Sequence, residues 1–120
     1  MTSSEMAKAF LANIEACRAM MEDGQNGYVL HTADNMHFIC RGKDGVMRLD
    51  HPQNDDVSVL TTHARAVTLQ RYWNSTHKED QNKVSIALRR EAMIAYIDRQ
   101  QRALDTLYAL IDMAEKGATP

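Results

Sequence analysis

From Asp80 to Lys116 the chain runs 37 residues without a glycine or a proline. Those two residues interrupt helices most strongly, so the stretch reads as one long helix. Apolar side chains recur along it at Ile86, Met93, Ile97, Leu104, Leu107, Ile111 and Ala114, in steps of three, four and seven. At about 1.5 Å per residue such a helix reaches roughly 50 Å, whereas a compact chain of this length has a radius of gyration of about 14 Å. The helix therefore overhangs its own domain, bends, or finds a second chain.

Adding Arg90 and Gln100 to the apolar series gives a near-heptad seam in which seven of nine positions are apolar. The two polar positions weaken a continuous coiled coil, although a polar seam residue can also fix register. The C-terminal half of the stripe is expected to cover the sheet and pack on the first helix. One face of a small sheet spans only about 20 Å along its strands, so the remaining apolar positions, including Ile94, Tyr96 and Tyr108, call for a symmetric homodimer. A break near Gln100-Gln101 would instead fold the helix back and leave a monomer.

Upstream of the long helix, Thr2 and Glu5 have capping-box spacing, and Met6, Phe10, Ile14, Cys17 and Met21 follow at steps of three and four. This predicts an amphipathic helix stopped at Asp23-Gly24. Between Asn26 and His51 the period drops to two, and turn residues appear at short intervals. Strands are expected at Tyr28 to Thr32, Met36 to Arg41 and Val46 to His51, with a fourth, short edge strand at Val57 to Leu60. A three-residue first loop, with Asn35 left-handed, sets Leu30 opposite Phe38 and Tyr28 opposite Cys40. That register gives a helix-facing set of Tyr28, Leu30, Met36, Phe38, Cys40, Met47 and Leu49. The opposite face, with Val29, His31, His37, Ile39, Arg48 and Asp50, is mixed and suited to solvent or a partner. Thr61 then caps a medium helix, with Leu60 placed as a staple and Ala66, Val67, Leu69 and Trp73 on its buried side. The expected fold is a single α+β domain over 1–120: a helix over 1–24, an antiparallel meander over 26–60, a helix over 61–75 and the long helix over 80–117.

Composition fits one soluble domain, with 44% hydrophobic and 25% charged residues. The formal net charge of −2 provides no basic field for a phosphate backbone, which disfavours direct nucleic-acid binding. Arg65, Arg71, Arg89, Arg90, Arg99 and Arg102 fall on the two C-terminal helices and read as a solvated face. The first residues show no apolar signal core, and there is no run of 18 apolar residues, so neither export nor membrane insertion is expected. Cys17 and Cys40 sit on apolar faces without a histidine beside them, as reduced thiols of a cytoplasmic protein do.

Chemistry-bearing residues are sparse. In the expected register His31 faces His37, and His37 faces Asp50; two imidazoles and a carboxylate form the ligand set of a facial metal site, and a one-residue slip dissolves it. His63 and His77 lie near the ends of the medium helix, where polar caps are ordinary. Asp55-Asp56 reads as solvated loop carboxylates, and Gly42-Lys43-Asp44-Gly45 as a hairpin turn. No cofactor is implied. Arginine, tyrosine and tryptophan dominate binding hot spots, which draws attention to Arg71 and Tyr72 beside a core-facing Trp73.

In overall plan the chain resembles small accessory proteins of phages and mobile elements, a group that includes anti-CRISPR and other anti-defence proteins. The resemblance lies in an N-terminal helix, a meander containing Gly27-Tyr28-Val29 and Asp44-Gly45-Val46, a Leu60-Thr61 helix start leading to Trp73-Asn74, and a long helical tail. It implies non-enzymatic, stoichiometric binding to a host protein complex in the cytoplasm, with inhibition by occlusion. The expected contact residues are Arg71, Tyr72, Arg90, Tyr96, Arg99 and His37, on the exposed part of the long helix and the outer sheet face. The alternatives are a sponge for a nucleotide-like ligand, using arginine for phosphate and an aromatic for the base, and a metal-dependent enzyme built on His31, His37 and Asp50.

Overall fold

The computed structural model describes residues 2–22, 26–52 and 56–117. Its elements are α1 (Ser3–Met21), β1 (Tyr28–Thr32), β2 (Phe38–Arg41), β3 (Met47–Asp50), β4 (Asp56–Val57), α2 (His63–Thr76), a 3-10 turn at Asp80–Asn82, β5 (Val84–Leu88) and α3 (Arg89–Gly117). The architecture is α+β, with an N-terminal helix, an antiparallel sheet and then two helices, the last one long. The expected helix stop at Asp23-Gly24 and the residue Asp55 lie outside the described residues.

Capping follows the sequence closely. The Thr2 hydroxyl accepts from the Glu5 amide at 3.2 Å, and Thr62, one residue later than expected, does the same for Arg65 at 3.2 Å. The chief departure lies at the start of the long glycine-free stretch. Residues 80–88 are not helix: Val84, Ile86 and Leu88 alternate with Ser85 and Ala87, and the five pair in full with β1, from Tyr28 opposite Leu88 to Thr32 opposite Val84. The seven-residue step from Ile86 to Met93 suits a helix, but the local period at 84–88 is two, and β-branched residues favour the pleated surface. α3 therefore starts at Arg89, and β5 gives the sheet a strand absent from the expected meander.

The strand order is β3-β2-β1-β5, with β4 also on β2. β1 and β2 pair at His31 and Phe38, and beyond that point the 56–60 segment joins them: Val57 pairs with Cys40, and Leu60 with Tyr28. The hairpin register differs by one residue from the expected one. Asn35 is left-handed as expected, with φ 57°, but the Asp34 carboxylate accepts from both the Thr32 hydroxyl at 2.6 Å and the Met36 amide at 2.9 Å. That Asx turn draws Met36 into the loop, and the Thr32 amide closes it on the His37 carbonyl at 3.0 Å.

A slip of one exchanges the faces, and neither face is left to solvent. Val29, Phe38 and Cys40 pack with Cys17 of α1 and Ala92, Met93 and Tyr96 of α3. Leu30, Ile39 and Val84 pack with Trp73 of α2, supported by Met47, Leu49, Leu60, Leu69 and Ile86. The sheet is the middle of three layers. Trp73 is fixed by its indole N–H donating to the Asn82 carbonyl at 2.8 Å and by stacking on His77 at 3.9 Å. Beside it, Asn74 and Gln70 bond the Val84 backbone: the Val84 amide donates to the Asn74 side chain at 2.9 Å, and both amide nitrogens donate to the Val84 carbonyl at 3.1 Å.

α1 and α3 run antiparallel. Cys17 meets Met93 and Tyr96 near the sheet, while Ala7 and Ile14 cluster with Leu104 farther out. The 29 residues of α3 extend about 44 Å, and the molecule measures 62 × 33 × 26 Å with a Cα radius of gyration of 16.9 Å. The rod does outgrow its globule.

Gly27 is the tightest backbone approach. A Cβ there would meet both the Leu60 carbonyl oxygen and Val59 Cγ1 at 2.7 Å, and the Gly27 carbonyl already accepts from the Arg89 amide at 2.9 Å. Gly27→Ala should destabilise the fold by about 2 kcal/mol through overpacking, read as a lower urea midpoint at unchanged slope.

Candidate interaction surfaces

The six expected contact residues do not form one surface. Arg71 and Tyr72, the latter 66% exposed, lie on α2 across the sheet from α3, whereas Arg90 and Arg99 are exposed on α3 and His37 is half-buried in the β1–β2 loop. Tyr96 is 0% exposed and offers nothing to a partner. Its ring meets Phe38 edge-on at 5.9 Å, and its hydroxyl lies 3.0 Å from His51 Nδ1. Arg89, expected on a solvated face, is buried and donates to the Met20 carbonyl at 2.9 Å, satisfying the C-terminal end of α1.

The metal trio is not assembled either. His31 faces Phe38 and Asp50 faces Phe38 from the other side, so the expected chain of His31, His37 and Asp50 loses its middle member. Among the described residues no three histidine, cysteine or acidic side chains are placed to hold a metal ion. His37 instead approaches His51, ring centroids 4.8 Å apart. Burial pushes His51 below the ordinary imidazole range, His37 adds to that, and Asp50 and Asp34 oppose it. For Asp34, burial pushes upward, but the bonds from Thr32 and Met36 and the charges of His37 and Arg99 outweigh it and hold the carboxyl low. Cys17, buried against the sheet, is pushed up to about 11 by desolvation, which makes it a packing thiol and not a nucleophile.

What remains is the helical arm. Beyond the sheet, Leu104 has an apolar cluster that, among the described residues, is made of α1 and α3, with Ala7 and Ile14 buried and Phe10, Ile97 and Ile111 half-buried. Two helices cannot enclose all their apolar side chains, and here Tyr108 is 48%, Leu110 54% and Met113 67% exposed, with Met6 at 38% and Leu11 at 40% on α1. Isolated exposed leucines are ordinary, but Leu110 and Met113 lie one turn apart on the same side of this projecting element. Sequence periodicity finds Leu107 and Ile111, and it does not single out Leu110 and Met113, which sit off the seam. No helix among the described residues is long and apolar enough to cross a membrane.

No family model, curated protein or solved structure matches the chain.

The His51 shift carries a pH dependence. Its folded value lies below the unfolded 6.5, so the unfolded chain takes up the proton first. The contribution is fully present above that value and declines as pH falls through it towards the folded value. A urea midpoint measured at stepwise lower pH should drop across this window, and His51→Gln should flatten the drop.

Proposed function

We propose that this chain is a binding protein that acts by occupancy without turnover, and that it works as a homodimer joined through the α1–α3 arms. The observation that supports the reading is the uncovered apolar pair Leu110 and Met113, one turn apart on a stretch of α3 with no sheet beneath it among the described residues. Two antiparallel arms laid against each other make a four-helix bundle, the commonest way for two-helix units to enclose such side chains. The exposed ion pairs Asp98–Arg102 at 2.9 Å and Asp112–Lys116 at 3.0 Å line the arm and suit the rim of such a bundle.

The resemblance to anti-defence proteins extends the reading to a host macromolecular complex in the cytoplasm, occluded by the bound dimer. A dimer doubles each contact surface, and two linked weak contacts bind far more tightly than either alone. On this reading Arg99 of α3 and His37, which both act on the Asp34 carboxylate, are contact residues of one surface, Arg90, on the opposite side of α3, belongs to a second, and Arg71 with Tyr72 to a third.

Light scattering should give twice the chain mass of 13.6 kDa, and the paired change Leu110→Glu with Met113→Glu should halve it while helical circular dichroism stays unchanged. A wild-type chain that scatters as a monomer at micromolar concentration rejects the dimer. Titrated into a host nuclease or surveillance complex, the protein should inhibit to saturation at a fixed ratio. Inhibition that deepens with time at substoichiometric dose would mean turnover, and would reject occupancy.

A further inference from the structure

We infer that the strip of sheet beside α2 is a binding site for a small amphipathic anion, an apolar chain or ring carrying a carboxylate or phosphate head. α2 packs over β1 and β5 and leaves the β3 side of the same face uncovered. The resulting groove, about 560 Å³, is lined by Met47, Leu60, Leu69 and the exposed Tyr72, with Ala64, Arg65 and Thr68 of α2. It opens into a second cavity of about 540 Å³ that shares Met47, Leu60 and Arg65 with the first. Each volume lies in the range of small-molecule sites, about 300–1,000 Å³.

Chemistry differs between the two ends. The first cavity is walled mainly by aliphatic and aromatic groups, while the second is lined by Arg41, Lys43 and Arg65 and, among the described residues, by one carboxylate, Asp56. Among the described residues none of these three cations forms an ion pair; the neighbouring Arg48, by contrast, is already held by Asp44 at 2.7 Å. Asp56 stands opposite Arg41 in the β2–β4 pairing and offsets its charge, which leaves Lys43 and Arg65, unpaired among the described residues, to favour an anionic head, which arginine binds with paired hydrogen bonds. An apolar wall that includes Tyr72 favours a hydrocarbon or aromatic body. A free inorganic anion would leave the first cavity empty, and a neutral hydrocarbon would leave the cations unused. Only a ligand with both parts matches the whole groove. The site is independent of the arm, on the other face of the sheet.

The test is calorimetric titration of the full chain with decanoate and with decyl phosphate, both below their micellar concentrations, alongside decanol and decyltrimethylammonium. The two anions should bind and the neutral and cationic chains should not, with whichever anion binds more tightly identifying the head group. The paired change Lys43→Ala with Arg65→Ala, at exposed positions, should weaken anion binding about tenfold or more. Ala64→Trp, which fills the groove from the exposed side of α2, should abolish it, with the thermal midpoint of both variants showing that the fold persists. Equal binding of all four chains, no binding of either anion, or unchanged anion binding in both variants would overturn the assignment. So would anion binding that disappears in the Leu110→Glu, Met113→Glu variant, because the ligand would then sit on the arm.

Discussion

Everything in this fold is referred to the pairing of β5 with β1. The five residues of β5 run directly into α3, and the Arg89 amide, the first of the helix, still bonds back to Gly27 beside β1 at 2.9 Å. The start of a 29-residue helix is thereby fixed to the sheet. Because a helix is stiff, fixing its start also fixes where its far end points. The buried Arg89 guanidinium donates to the Met20 carbonyl at the end of α1, so the same residue ties the two arm helices together where they leave the sheet. Burying a guanidinium is costly unless its donors are matched, and the orphan carbonyls at a helix end supply acceptors that would otherwise need water.

That anchoring explains the division of the molecule into a dense part and a sparse part. Near the sheet, α3 has β1 and β5 beneath it and α1 beside it, and Met93 and Tyr96 are wholly enclosed. Past Leu104, among the described residues, α3 packs on α1 alone. Apolar side chains that would be core residues one or two turns earlier are there exposed. The transition follows from geometry: a strand of five residues covers about 17 Å, less than half the length of the helix that crosses it.

Much of this was readable before any coordinates. α1, its Thr2 cap, the left-handed Asn35, the core position of Trp73 and the overhanging helix all follow from local periodicity and local chemistry, which act over a few residues. The failures share a cause. β5 was hidden because the sequence 84–88 satisfies helix and strand periods at once, and the choice is made by the open side of β1, a partner more than fifty residues away. The hairpin register was hidden because one carboxylate, Asp34, decides whether Met36 belongs to strand or turn. From that single residue follow the exchange of faces, the burial of Val29 and Ile39 and the loss of the His31, His37 and Asp50 cluster. The groove beside α2 was illegible for a different reason: it exists because a helix covers half of a sheet face, which is a property of docking and not of any segment.

The clasp that Gln70 and Asn74 place on Val84 has a bearing on how copies of this protein meet. Val84 begins the outermost strand on its side of the sheet, and its outward amide and carbonyl are the groups that a strand from another molecule would need first. Carboxamides from α2 already hold both. An incoming chain would have to evict two fitted side chains to extend the ladder through that residue, so growth of the sheet past its β5 edge is obstructed at Val84.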